Sequence, residues 1–494
     1  MRIEGLRYRD EWLPNFYPSR EVAGQHFRAS RTGRFILLGD EENARLDDID
    51  MPQELFERLE RTGHIVTSAN AGRVMEDLKT WFQKTYAGPE LHIVVTTKRC
   101  NLDCAYCHMI PEAANAPRSR FDLDRETAEA IVRFILSTPN SRCTIEFQGG
   151  EPFLNFDGLR HVVETAKAQN RSVGKQLEFT VVSNLIAVTD EHLAFCAEHG
   201  VSISYTLSGP REVHDLHRRN RAGKGSFDTV MSKIEQINSA YPGLLSASPL
   251  CVVDSEVAGR LIEILDFFHD AGFDSVAILR LRRLGKARGQ GIPFDIHAFL
   301  RHYLGALDYL FDKSRRTGRT YSERMIRVAI AKLISDADVG FVDWRNPCGD
   351  FGSTLTYDYD GEILPSDEAR SLRERFGLGN VANTTYADLA SQAKSHETMT
   401  LSLRDRHPVC RECAFNPFCG VSPILDYARS GDAEPRPHES DECLFTIAAL
   451  DWTLGKYMED PVTLIAMLPG AGVWAEEVLA NPAATRRSVA VAAD

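Results

Sequence analysis

The stretch "KRCNLDCAYCHM" (residues 98–109) places three cysteines in eight positions, Cys100, Cys104 and Cys107. Thiols this close together, in a chain with no export signal, point to metal binding or catalysis before disulfides. Two inorganic fates compete for them. A closed structural zinc site takes four residues, commonly from paired C-x-x-C units, and these three fall one short. His108 directly follows Cys107 and would strain to reach the same ion. A [4Fe–4S] cluster held by three cysteines leaves one iron open to an outside ligand, which brings its own chemistry.

The elements that must position this loop lie on either side of it. From residue 91, apolar β-rich runs alternate with amphipathic helical patterns. "HIVVTT" (92–97) precedes a helix over 124–137, "CTIEF" (143–147) one over 157–169, and "LEFTVVS" (177–183) one over 190–199. "VSISYTL" (201–207) precedes 226–238, "SPLCVV" (248–253) precedes 256–271, and "FDSVAIL" (273–279) precedes a long helix from 297. Six such units predict a parallel sheet with helices outside it, because parallel strands need crossovers. They are too few for an eightfold barrel, so the expected class is α/β with a partial (β/α)6 TIM-like barrel. Active sites of such sheets lie beyond the C-terminal strand ends. The three cysteines follow the first strand there.

Residues 1–88 read as a small α+β module. "HFRASRTGRFILLGDEENARLDDI" holds two strand-like runs around an Arg-Thr-Gly turn, and "PQELFERLERTGHIV" and "RVMEDLKTWFQKTY" have helical periodicity. It is expected either to cap the barrel or to dock a peptide along an edge strand. The net charge of −13 argues against a non-specific grip on nucleic acid. The basic run "RLRRLGKARG" (280–289) reads first as a solvated loop and second as an anion contact. "MRIEGLRYRDEWLPNF" has no signal-peptide core, and no run of about 18 apolar residues suggests a membrane span. Eleven cysteines without an export signal imply a reducing compartment, so a cytoplasmic protein with neither nucleic-acid nor membrane partner is expected.

The pattern C-x-x-x-C-x-aromatic-C, with Tyr106 before the last cysteine, resembles the signature of the radical SAM superfamily. The resemblance implies that the open iron chelates the amino and carboxylate groups of S-adenosylmethionine (SAM), and that one electron releases a 5′-deoxyadenosyl radical. Further motifs carry it. In "EFQGGEPFLNF", Gly149, Gly150 and Glu151 match the turn that meets the methionyl end of SAM. In "VVSNL", Ser183 and Asn184 match residues facing the ribose. "YTLSGPREVHDLHRRNRAGKGSF" supplies Thr206 for a bond to SAM and Arg218 for its carboxylate, but has Ser208 where the family has aspartate.

The second cysteine set, Cys410, Cys413, Cys419 and Cys443, would suit zinc in isolation. After a radical SAM core it resembles the SPASM extension, which carries auxiliary [4Fe–4S] clusters. The usual extension has seven cysteines. Here Ser366 and Pro423 stand at two cysteine places, and of the inner cluster's positions only Cys348 remains. The resemblance therefore implies one auxiliary cluster rather than two. Asp367, directly after the vanished cysteine in "PSDEAR", matches the general base of peptide-oxidising members; a surface-turn role is the alternative for it and for Glu368. Cys143, Cys196 and Cys251 sit in apolar contexts and read as core residues.

The chain most resembles the maturases of ribosomally made peptides, the His-Xaa-Ser system in particular. That implies a precursor peptide gripped by its leader, a crosslink or related oxidation after hydrogen abstraction, and a reductant such as flavodoxin or ferredoxin. The implied domains are 1–88 for docking, 89–320 for the barrel, 321–460 for an irregular Cys-rich iron–sulfur region, and 461–494 for a tail. A sulfatase-type maturase forming formylglycine is the alternative, with a zinc scaffold and an RNA-modifying radical enzyme behind it.

Overall fold

The computed structural model describes residues 12–47, 51–334, 339–432 and 434–468. Near the N-terminus, β1 (Arg20–Val22), β2 (Gln25–Ala29) and β3 (Phe35–Leu38) form an antiparallel sheet, followed by helices α1 (Gln53–Arg61) and α2 (Ala71–Tyr86). The Arg-Thr-Gly turn joins β2 to β3, as expected.

The barrel strands are β4 (Leu91–Thr97), β5 (Arg142–Gly149), β6 (Gln176–Ser183), β7 (Val201–Tyr205), β8 (Leu250–Val253) and β9 (Ser275–Arg280). Every pairing from β4 to β7 is parallel, and so is β8 with β9. The seam between β7 and β8 is carried by parallel bridges Ile203–Leu245 and Thr206–Leu250. Six parallel strands in chain order make the partial barrel. Their crossover helices include α3 (Arg125–Ser137), α4 (Phe156–Val173), α5 (Asp190–His199), α6 (Phe227–Ala240) and α7 (Leu261–Asp270). β4 is apolar on both faces because helices cover one and the barrel interior the other; Ile93, Val94 and Val95 are fully or almost fully buried.

One join was not legible in the periodicity. Strand β10 (Thr354–Tyr357) pairs parallel with the free edge of β4, and β11 (Glu362–Leu364) returns antiparallel beside it. The C-terminal region thereby extends the barrel sheet. His92 on β4 meets Tyr357 on β10, with Nδ1 2.9 Å from the phenol oxygen; burial keeps this imidazole neutral, its pKa down at about 3.

The N-terminal sheet packs on the cysteine-rich region. The Phe27 ring lies 5.3 Å from that of Phe415, and Arg20 Nε donates to Asp451 at 2.6 Å. Residues 461–466 form a short helix with Leu464 and Ile465 buried; the remainder expected as a tail, from 469, lies outside the described residues. Cys143, Cys196 and Cys251 are buried as core residues. No described helix is long and apolar enough to cross a membrane.

The reading of 280–289 as a solvated loop holds for Arg283 and Arg288, which are exposed, and fails for Arg280 and Arg282. Arg280 Nη2 is 3.0 Å from Glu442, Arg282 bonds Glu368 and lies 3.3 Å from Asp343, and Gly285–Gly289 is a short helix against the loop after Cys107. Local charge density says nothing about partners far along the chain, and here such partners take up Arg280 and Arg282, while Arg283 and Arg288 stay exposed.

Candidate active site

The loop of three thiols leaves the C-terminal end of β4, and the segment after β5 closes beneath it. Gly150 N–H donates to Thr97 O and Glu151 N–H to Arg99 O, both at 2.8 Å. A Cβ on Gly150 would stand 2.3 Å from Arg99 O, and one on Gly149 2.6 Å from Thr97 O. The paired glycines are thus required by backbone packed on backbone, before any ligand is considered. Arg99, 3% exposed, ties the loop down with two 2.7 Å bonds to Asp122 and one of 2.6 Å to Ala114 O.

From the far side the short helix 285–289 straps the same loop. Lys286 N–H donates to Met109 O and Ala287 N–H to Cys107 O, each at 3.1 Å. Lys286 Nζ reaches Asp103 Oδ1 at 2.7 Å. Gly285, at φ +48°, lies so near His108 O that a Cβ would stand 2.2 Å from it. Arg99, Asp122 and Lys286 were missed by motif reading, because their role appears only where distant segments meet.

Glu151 is 1% exposed and collects three donors: Ser183 Oγ at 2.8 Å, Asn184 N at 2.8 Å and Phe153 N at 3.3 Å. A carboxylate has about four lone-pair sites, so one remains, on Oε2. Burial pushes its pKa up to about 7 in spite of these bonds. Ser183 and Asn184 therefore serve Glu151 directly, while Asn184 Nδ2 also donates to Asn101 within the thiol loop at 2.7 Å.

Tyr106 and Arg218 form the opposite wall, with Arg218 Nη1 donating to the Tyr106 oxygen at 2.8 Å. Burial pushes the phenol up to about 12, so it stays protonated. The "VHDLHRRNRAGKGSF" stretch exists to place Arg218. Ser208 N–H donates to His214 Nδ1 at 3.2 Å, His214 Nε2 lies 2.9 Å from Ser226 Oγ, and Ser226 Oγ donates to Arg218 O at 2.9 Å. Burial holds His214 at about 3, neutral, with the proton on Nε2. Asp215 takes the N–H groups of Ser226 and Phe227, leaving space at Gly225 for no side chain at all. Ser208 keeps a weak link to Tyr106 at 3.5 Å. Thr206, half-buried, donates its N–H to Ser183 O at 3.3 Å and sits at the β7–β8 seam.

Residues 94–268 match the model of the radical SAM superfamily. The chain is a radical SAM enzyme. Its curated relatives include a cysteine-type anaerobic sulfatase-maturating enzyme of Clostridium perfringens, 23% identical over 67% of this chain and 88% of that one. A serine-type counterpart from Bacteroides thetaiotaomicron is 23% identical over 68% and 83%. Among solved structures, anSMEcpe with bound AdoMet superposes with TM-score 0.64 at 18% identity, over 78% of this chain and 98% of that one. Streptococcus suis SuiB bound to precursor peptide SuiA gives 0.52 at 14% identity, over 85% and 97%. These structural likenesses establish the fold.

The family implies SAM and a [4Fe–4S] cluster for this radical SAM enzyme, and the donor chemistry present fits them. Three thiols share one loop, and burial raises Cys100 and pushes Cys107 up to about 11, a burden that a coordinating metal would lift. Among the described residues, one set of metal-ligand atoms lies within 4.8 Å of one another, His217, Asp254 and Glu256, and it contains no cysteine. The match to radical SAM enzymes sets aside the reading of a catalytically silent zinc scaffold.

In the enzyme's C-terminal region, Cys410, Cys413, Cys419 and Cys443 feel one another's charge, and burial followed by that proximity pushes Cys410 up to about 12. Cys348 lies in a packed polar environment. Its Sγ is 3.4 Å from Asp343 O, Ser366 is buried, and Ser422 Oγ donates to Asp350 at 2.7 Å. Gly420 is pressed against the Asp343 backbone.

Asp367 lies 3.6 Å from His108 Nε2, beside the thiol loop. It heads the short turn 368–372, with its side chain partly buried. Burial works to raise its pKa, yet the nearby His108 and the Arg282 guanidinium hold it well below the usual carboxylate range. Its neighbour Glu368 is driven the other way by burial and by the Asp367 charge, although Arg282 bonds it.

Proposed function

We propose that this enzyme modifies a ribosomally made precursor peptide by hydrogen abstraction, installing a crosslink or related oxidation. The observation that carries the reading is the meeting of Asp367 with the loop of three thiols, through His108. A carboxylate kept ionised at the mouth of the radical centre is placed to receive a proton from a substrate carbon or heteroatom.

Cys100, Cys104 and Cys107 would hold the SAM-binding cluster, with Tyr106 and Arg218 forming one wall of the site. Glu151 would accept the SAM ammonium on its remaining lone pair, oriented by Ser183 and Asn184. Thr206 and the Gly149–Gly150 backbone would complete the cradle. Cys410, Cys413, Cys419 and Cys443 would hold one auxiliary cluster. When bound and reduced by a flavodoxin or ferredoxin, these groups supply a 5′-deoxyadenosyl radical and a sink for the surplus electron. Asp367 takes the proton on a carboxylate oxygen, and His108 steadies the charge. The leader would lie along the edge of the N-terminal sheet, whose strand β3 pairs on one side only among the described residues.

The relatives favour a second reading, oxidation of a sulfatase Cys or Ser to formylglycine. The chain's inner cluster positions are reduced to Cys348, which counts against it. Mass spectrometry after anaerobic turnover separates the two. A precursor encoded beside this gene should lose a hydrogen pair and keep all its sulfur. Conversion of the cysteine in a sulfatase peptide to an aldehyde, with loss of sulfur and no change in the precursor, would select the second reading.

A further inference from the structure

A cleft of about 340 Å³ opens between the thiol loop and the C-terminal extension of the sheet. One wall carries Lys98, Ile110 and the Gly149–Gly150 turn; the other carries Asp358, Arg370 and Arg373. Most of its cations are already neutralised. Lys98 lies 3.6 Å from Glu112, Arg373 is ringed by Asp358, Asp360 and Glu362, and Arg375 meets Glu397 at 2.7 Å.

Arg370 differs. Its side chain is 5% exposed, its nearest carboxylate oxygen is 3.9 Å away on Asp358, and its Nε and Nη1 are buried without a hydrogen-bond partner. Among the described residues it is the one arginine with two buried nitrogens so left. A desolvated guanidinium with idle donors is destabilising, and such groups persist where a ligand completes them. Its fork matches a carboxylate in two parallel bonds. Arg370 N–H donates to Asp367 O at 3.1 Å, so the cation and the proposed base ride on one turn. Ile110, 63% exposed, offers an apolar lip across the cleft.

We propose that this cleft is the substrate subsite, and that Arg370 anchors a carboxylate of the peptide beside the reacting position. The inference takes its ligand class from the proposed function, and specifies an acidic residue in the peptide next to the one modified. A net charge of −13 repels polyanions from the molecule as a whole, so selective capture of one reports a local site.

The test is fluorescence anisotropy with labelled, C-terminally amidated octaglutamate and octaglutamine peptides on the cluster-loaded enzyme with SAM. Octaglutamate should bind at least about tenfold more tightly, the difference one charge-assisted pair supplies. Arg370→Gln should erase that preference, and Arg370→Lys should keep part of it. Both variants should retain SAM affinity, 5′-deoxyadenosine formation and a melting temperature no lower than wild type, since an unsatisfied cation is not a stabilising one. A preference that survives Arg370→Gln overturns the inference. So does a loss of SAM affinity, which would make the carboxylate SAM's own, or a fall in melting temperature with peptide preference intact. An enzyme that fails to cleave SAM yet keeps the Arg370-dependent glutamate preference would retire the maturase reading and leave the subsite standing.

Discussion

Asp367→Asn is expected to lower peptide product by about 100- to 10,000-fold, the span that a positioned general base supplies, while SAM cleavage continues. The amide preserves the shape of the turn but cannot take a proton, and it removes the carboxylate that faces His108. Turnover should become uncoupled: 5′-deoxyadenosine accumulates at a rate near that of wild type, without matching loss of hydrogen from the peptide. Because His108 and Arg282 hold the Asp367 carboxyl below the usual range against its burial, wild-type activity should show no acid limb from this group near pH 4 to 5. Product formation at the wild-type rate in the variant would return Asp367 to the role of a turn residue.

Glu151→Gln should weaken SAM binding by about 10- to 100-fold, in line with about 1.5–3 kcal/mol for hydrogen bonds to a charged group. Gln offers one acceptor oxygen where three donors converge, and its NH2 group would face either the Asn184 N–H or the Ser183 hydroxyl. The pH dependence adds a second signature. Burial raises the Glu151 carboxyl to about 7; below that value it holds a proton that must leave before an ammonium is received. Wild-type affinity for SAM, measured by equilibrium dialysis, should therefore weaken as pH falls through 7, and the variant's affinity should be flat. Equal affinity and an unchanged pH profile in the variant would remove Glu151 from the SAM site.

The radical SAM core was legible because its information is local. Cys100, Cys104 and Cys107 share one loop, and Gly149, Gly150 and Glu151 are contiguous, so a single chain carries the whole pattern. The barrel was legible for a related reason, since strand runs buried on both faces alternate with amphipathic helices. What escaped is what long-range pairing decides. Strand β10 returns to the edge of β4 after the entire barrel, and no periodicity announces that partner. Arg282 finds Glu368 across 86 residues and Arg280 finds Glu442 across 162, which turns an apparently solvated basic run into a strap on the active-site loop. The glycine pair meets a demand that no motif states: the Arg99 and Thr97 carbonyls leave no space for a Cβ. Arg370 gave no signal in the sequence, because idle donors are visible only once the neighbours are known.

The central claim is that two separate cysteine sets hold two clusters, and that the one on the Cys100–Cys107 loop works with SAM. Anaerobic iron and sulfide counts on the wild type and on the triple variant Cys100/Cys104/Cys107→Ala test it most directly, with 5′-deoxyadenosine measured alongside. The account predicts roughly eight irons per chain in wild type and about four in the variant, from two Cys-held [4Fe–4S] clusters, with SAM cleavage abolished by the substitution. About twelve irons in wild type, zinc in place of iron, or SAM cleavage that survives in the triple variant would contradict it.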